Sequence, residues 1–351
     1  MDSNKVQYSS RIMCFGTTGW GGTCLQRFKA LETLFETSYL VDSRRVFPDK
    51  KIGRSFLKSI QGRLGWGPLI KLSHLVLLSE ANRFKPDVLW IDNGFFVSKE
   101  TIQEIRSKFS CLIIHYTPDS LSAPGMNNGC IRHAIPAYDV TVTTKEQDIE
   151  RYNKLGARWI LYSLQGYDPT IHHPVSLNRD EMKLFGSEVI FVGQCMKKRL
   201  ESLRHLYIRL RPDLRIYGAG WNSRSVPPDL KPTLRKAVYG EMYSKVLSGS
   251  KIALGFLNNE VGDSMTSRSF EIPACGRFLL AERTKAHQHL FREDSEAVFF
   301  STDSELVDKV QYYLKNDADR ERIAMAGYKR VTRSEFTWRG QINHIVDKIL
   351  G

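Results

Sequence analysis

Short apolar runs alternate with longer amphipathic stretches along almost the whole chain. In the first half, Arg11–Phe15, Ser38–Val41, Val88–Ile91, Cys111–Ile114 and Val140–Thr143 are predicted strands. Between them, Thr23–Glu36, Pro68–Phe84 and Ser98–Phe109 carry apolar residues at helical spacing. This alternation predicts a parallel sheet covered on both faces. It breaks at Gly166-Tyr167-Asp168-Pro169 and His172-His173-Pro174, a turn-rich connector in which the histidines are expected to be linker rather than ligands. It then restarts. Strands are expected at Glu188–Val192, Leu214–Tyr217, Lys251–Phe256, Arg277–Ala281 and Val298–Phe300. Helices are expected at Lys197–Arg211, Arg268–Cys275, Ser304–Lys315, Asp317–Val331 and Trp338–Leu350. The pattern predicts an α/β chain of two Rossmann-like, doubly wound domains, residues 1–178 and 179–351, with the last helix a candidate to pack back on the first. Their facing carboxyl-terminal strand ends would form a cleft, the default ligand site of such sheets.

A length of 351 residues suits two domains, and 42% hydrophobic with 25% charged residues excludes bulk disorder. The net charge of +13 is shared by both halves and favours an anionic partner: a phosphorylated metabolite, an anionic membrane surface or nucleic acid. Aromatic–basic interleaving and helix-turn-helix patterning are missing, so nucleic acid is not expected. No window approaches the roughly 20 apolar residues of a membrane-spanning helix, and the N-terminal stretch does not look like a secretory signal. The six cysteines are scattered through apolar runs without zinc-ligand spacing. They fit reduced core residues of a cytoplasmic protein, with neither metal nor cofactor implied.

Two glycine-bearing segments carry the candidate chemistry. Gly16-Thr17-Thr18-Gly19-Trp20-Gly21-Gly22 follows the first strand, and Asp42 closes the second. A dinucleotide frame starting at Gly19 fails at Cys24, where a Cβ and sulfur would crowd the helix. Gly19, Gly21 and Gly22 instead suit a tight turn, or a bare backbone approached by an acceptor. In the second segment a polar loop, Asn258–Asp263, leads into a helix that ends at Cys275-Gly276. Thr266 or Ser267 is placed to cap that helix, whose N-terminal amides would attract phosphate. Arg268 adds a forked cation suited to a diphosphate, and Glu271, three residues on, can accept two hydroxyls of a ribose. Arg268 and Glu271 could equally pair with each other.

Arg268-Ser269-Phe270-Glu271-Ile272-Pro273-Ala274-Cys275-Gly276 resembles the R-x-F-E-x-x-A-C-G core of the CgeB-like glycosyltransferases, within the wider group-1 sugar transferases. Phe191-Val192-Gly193 followed by Arg199 is similar to that family's first carboxyl-domain strand and basic loop. Tyr217-Gly218-Ala219-Gly220-Trp221 is similar to its Y-G-x-G-W segment, and Ser304 through Tyr328 resembles its closing helices. Tyr138-Asp139, Tyr152, Gly156-Ala157 and Asp168-Pro169 resemble the end of its amino-terminal domain, so the likeness spans roughly residues 110–350. The resemblance implies a GT-B fold, with a nucleotide-sugar donor on the second domain and an acceptor on the first. It implies Glu271 as ribose ligand, and Arg268 with Thr266 and Arg199 as diphosphate ligands. Gly193 and Gly218 lie in the donor turns. Asp263 stands where relatives carry the first Glu of a Glu-x7-Glu pair. Such enzymes work without a bound metal.

On the acceptor side, His115 and Asp119 follow the apolar run Cys111–Ile114 and are candidate bases, and Asp92, closing Val88–Ile91, is a third. Residues 44–72 concentrate Arg44, Arg45, Lys50, Lys51, Arg54, Lys58, Arg63 and Lys71 around Ile52, Phe56, Ile60 and Leu64, with Trp66 just beyond. That pattern suits either a docked surface helix or one lying on anionic lipid. The expectation is a cytoplasmic, metal-independent glycosyltransferase, peripheral at the inner membrane face, moving a sugar from a nucleoside diphosphate to a saccharide or lipid-linked saccharide. The alternatives are a GT-B nucleotide-sugar epimerase and a non-catalytic nucleotide-sugar-binding protein.

Overall fold

The computed structural model describes residues 8–19, 22–46, 60–123, 125–126, 128–221 and 226–351. Gly21 and residues 47–59 of the basic stretch 44–72 lie outside the described residues. The chain divides into two compact units, one holding residues up to Gln165 together with Trp338–Gly351, the other Gly166–Thr337.

The first unit is built on strands β1 (Tyr8–Gly16), β2 (Phe35–Asp42), β3 (Val88–Asp92), β4 (Leu112–Thr117), β5 (Val140–Thr143) and β6 (Ile160–Tyr162). They form one six-stranded sheet in the order β2-β1-β3-β4-β5-β6, parallel throughout. Its helices are α1 (Cys24–Glu32), α2 (Pro68–Phe84), α3 (Lys99–Phe109), α4 (Gly129–Ala134) and α5 (Ile149–Lys154). The order reverses between β1 and β3, which makes the carboxyl ends of those two strands the topological switch point. The helix expected over Thr23–Glu36 stops at Glu32, because Thr33 and Leu34 turn the chain into β2, where Phe35 is buried in the sheet.

In the second unit β7 (Ser187–Val192), β8 (Leu214–Tyr217), β9 (Leu234–Arg235), β10 (Ser250–Gly255), β11 (Phe278–Glu282) and β12 (Val298–Phe300) form a second parallel sheet, ordered β12-β11-β10-β7-β8-β9. Its helices are α6 (Arg179–Phe185), α7 (Lys197–Leu210), α8 (Glu241–Ser248), α9 (Arg268–Ala274), α10 (Lys285–Leu290), α11 (Asp303–Lys315) and α12 (Asp317–Val331). Here the switch point lies between β7 and β10. The connector belongs to this unit: Val175 N–H donates to Ser248 Oγ at 3.0 Å, and Ser244 Oγ donates to the Ile171 carbonyl.

The chain then returns. Helix α13 (Trp338–Leu350) buries Trp338, Ile342, Ile345 and Val346 against Ile12, Phe28, Leu31 and Trp90 of the first unit. Each such side chain contributes about 1.5–3 kcal/mol when fully buried. Among the described residues no helix is long and apolar enough to cross a membrane.

Candidate functional site

At the first unit's switch point Asp92, at the end of β3, is taken up by packing within the unit. Asp92 is buried and takes a two-pronged ion pair from Arg27, Nε to Oδ2 at 2.8 Å and Nη2 to Oδ1 at 2.9 Å. The Arg27 guanidinium lies between the rings of Tyr116, at 4.6 Å, and Trp338, at 5.0 Å. Gly16 is obligatory here, since a Cβ on it would lie 2.4 Å from Cys24 Sγ and 2.8 Å from Asp92 Cβ. Asp92 is therefore a buried charge partner rather than the acceptor-facing strand cap expected from its position. The Gly19 carbonyl accepts the Gly22 N–H at 3.2 Å. Asp42 is engaged by Thr18 Oγ1 at 2.6 Å and Arg44 Nε at 2.8 Å. Burial pushes its carboxyl up, but the hydrogen bonds from Arg44 and Thr18 outweigh that and hold it down at about 2.

His115 is corrected more sharply. Strand β4 runs on to Thr117, so His115 sits inside it, fully buried, stacked on Tyr138 at 4.8 Å, with Nε2 3.3 Å from the Asn93 carbonyl. Burial pushes its pKa down to about 4. A group so weak and so enclosed is not the base. Asp119 lies beyond the strand end and is exposed, its N–H donating to Thr117 Oγ1 at 3.1 Å.

The second unit brings the donor candidates together at its switch point. Arg268 donates through Nε to the Val192 carbonyl at the end of β7 (3.1 Å), pairs through Nη1 with Glu271 Oε2, and lies 4.8 Å over the Tyr243 ring. Tyr243 Oη donates to the same Glu271 oxygen at 2.9 Å. Glu271 Oε1 faces His172 Nε2 across 3.7 Å, too far for a hydrogen bond. The Asp168 N–H donates to His172 Nδ1 at 3.1 Å, so the neutral ring carries its proton on Nε2, toward the carboxylate. Burial lowers the His172 pKa. Burial also raises that of Glu271, but Arg268, followed by His172 and the Tyr243 hydrogen bond, outweighs this and keeps the carboxyl below the ordinary range. The result is a buried, ionised carboxylate with open lone pairs on Oε1, beside a guanidinium whose side chain is 32% exposed.

Other expectations change. Ser267 stands at the N-cap of α9 in helical backbone and makes no side-chain cap. The first-turn amides are occupied too: Ser269 N–H donates to the Thr266 carbonyl, Phe270 and Glu271 N–H to that of Ser267. The amides of Ser269, Phe270 and Glu271 are thus taken up within the turn itself. Arg199 is committed to main chain, donating to the carbonyls of Leu257 (3.3 Å), Gln194 (3.1 Å) and Phe256 (3.3 Å). Asp263 is half-buried, its N–H on the Asn258 carbonyl at 3.1 Å. Gly218, at φ +146°, packs on Gly193, whose carbonyl oxygen would lie 2.0 Å from a Cβ there and accepts Trp221 Nε1 at 2.8 Å.

Sequence reasoning missed Tyr243, Lys198 and Glu282, and placed His172 in a passive linker. A polar residue directly after the apolar run Arg277–Ala281 was the available signal for Glu282. Nothing local marks Tyr243. Among the described residues no three His, Cys, Asp or Glu side chains converge as a metal site.

Residues 196–347 match the family model described as glycosyl transferase-like. No curated protein sequence matches the chain. Among solved structures, sucrose-phosphate synthase from Thermosynechococcus elongatus superposes with a TM-score of 0.72 at 11% identity, covering 97% of this chain and 98% of that one. HepE of Anabaena in complex with UDP-glucose gives 0.66 at 10% identity, covering 97% and 99%. A Listeria monocytogenes chain assigned as a UDP-N-acetylglucosamine 2-epimerase gives 0.59 at 10%, covering 97% and 96%. The fold is GT-B. Residues 196–347, which end within α13, carry the glycosyl transferase-like match, and the chain as a whole has the GT-B architecture.

Proposed function

We propose that the chain is a CgeB-like glycosyltransferase that moves a sugar from a nucleoside diphosphate to an acceptor hydroxyl in cell-surface polysaccharide or glycolipid assembly. The observation that carries this is the Arg268–Glu271–Tyr243–His172 group at the β7–β10 switch point, of which Tyr243, Arg268 and Glu271 lie inside the glycosyl transferase-like segment. Glu271 accepts the ribose hydroxyls through Oε1. Arg268 turns its exposed edge to the diphosphate and neutralises the charge that grows there as the sugar leaves. The donor is held by the second unit and the acceptor by the first.

Glu271→Gln is expected to weaken nucleoside diphosphate binding about 10- to 100-fold, the loss of one charge-assisted hydrogen bond. Arg268→Ala should lower affinity and turnover together. Titration calorimetry with a panel of nucleoside diphosphates measures both, and unchanged affinity in both variants would place the donor elsewhere. The epimerase alternative, kept open by the shared fold, predicts an epimerised nucleotide sugar without net release of nucleoside diphosphate.

The acceptor side is proposed to meet an anionic membrane surface. Leu64 (55% exposed), Trp66 (69%) and Leu75 (54%) stand out of the described part of the basic stretch and the helix after it, beside exposed Arg63 and Lys71. Exposed apolar groups mixed with cations suit the headgroup region. Wild type should sediment with anionic vesicles at low salt, and Trp66→Ser with Arg63→Glu should stay in the supernatant. Wild type that never co-sediments would remove the membrane from the proposal.

A further inference from the structure

Glu282 ends β11, and its buried carboxylate gathers donors from separate segments. The Leu257 N–H donates to Oε2 at 2.5 Å, Asn259 Nδ2 to Oε1 at 2.9 Å and Lys198 Nζ to Oε1 at 3.1 Å. Leu257 and Asn259 open the loop that runs to Asp263 and α9, and Lys198 lies in the first turn of α7. The main chain of the same residue reaches α9 by a second route. The Glu282 carbonyl can only accept, so His287 Nδ1 carries a proton and donates to it at 2.8 Å. His287 Nε2 is then an acceptor and takes the Ser269 hydroxyl at 2.8 Å, in the first turn of α9 next to Arg268.

We infer that Glu282 is a positioning residue of the donor site, holding Lys198 and the loop after β10 in place for the leaving diphosphate. This rests on the donor assignment proposed above. Three observations meet here. The Ser269, Phe270 and Glu271 amides of α9 are occupied and Arg199 is committed to carbonyls, so a second cation near the end of β7 adds to what Arg268 can give the diphosphate. Lys198 is that cation: its side chain is 62% exposed, and only one of its three ammonium hydrogens points at Glu282. A long exposed lysine samples many rotamers, and the buried carboxylate selects one before the donor arrives. Leu257, Asn259 and Lys198 thus answer to one side chain.

The test is a mutant cycle read in turnover and in affinity for the nucleoside diphosphate that wild type binds best. Glu282→Gln keeps the shape and can keep the Leu257 hydrogen bond, but its amide nitrogen faces Asn259 and Lys198, both donors. Turnover should fall about 10- to 100-fold and affinity about 3- to 10-fold. Lys198→Ala should reproduce most of that loss, and the double variant should be little worse than either single one, because the two residues act as a unit. Losses that multiply would make Glu282 a structural residue and overturn the inference. Lys198 lies on the surface, so Lys198→Ala folds whatever becomes of the Gln variant, and wild-type turnover and affinity in it alone would also overturn the inference. Failure of wild type to bind any nucleoside diphosphate would instead bring down the donor assignment, and this inference with it.

Discussion

Asp119→Asn is expected to lower turnover by about 10²–10⁴ while leaving nucleoside diphosphate affinity unchanged. In an inverting transfer, one group of the acceptor-side unit must take the hydroxyl proton as the new bond forms. Asp119 is exposed just past the end of β4, with its backbone pinned by Thr117, whereas His115 is sealed inside the same strand. The Asn side chain keeps the shape and removes the basicity, so folding and donor binding serve as internal controls. Rates must be read beside the anomeric configuration of the product by NMR. Retention of configuration, or near-normal turnover in the variant, would end the case for Asp119 as base.

Asp92→Ala is expected to destabilise the first unit by about 3–5 kcal/mol, the cost of leaving a buried partner charge uncompensated. Arg27 is 1% exposed and walled by Tyr116 and Trp338, so its guanidinium cannot swing into water without disturbing that packing. A double replacement, Arg27→Met with Asp92→Leu, removes both charges and should recover most of the loss, because an apolar pair carries no desolvation cost. Urea unfolding of the three proteins checks this. A single-variant loss below about 1 kcal/mol would show that water reaches Arg27 and pays for its solvation.

Much of this molecule is legible in the sequence because both sheets are parallel and buried. Each central strand is a short apolar run between turn signals, and Val88–Ile91, Val140–Thr143 and Leu214–Tyr217 fall within or on the observed strands, as does Val298–Phe300 at one edge. The edge strands β6 and β9 are three and two residues long, too short to give a periodic signal of their own. Strand ends are less legible than strand centres, and for chemistry they matter more. Extending the fourth strand to Thr117 turns His115 from a rim residue into a core one. The donor segment stood out because Arg268 and Glu271 are three residues apart on one short helix. Tyr243, His172, Lys198 and Glu282 did not, because each meets its partner only through the fold, far from it in the chain. That Arg199 is held by carbonyls could not be read from charge and spacing either.

The return of α13 to the first unit has a consequence for how the chain is made. The second unit is continuous in sequence and has every residue it needs once Thr337 has been synthesised. The first unit, although begun earlier, lacks a wall of its core until residues 338–350 emerge from the ribosome, and until then Arg27 has only one of its two aromatic neighbours. Order of synthesis and order of completion are therefore opposite. A chain truncated after Thr337 would hold a complete second unit and a first unit exposing Phe28, Leu31 and Trp90, a surface on which chaperones act and aggregates start.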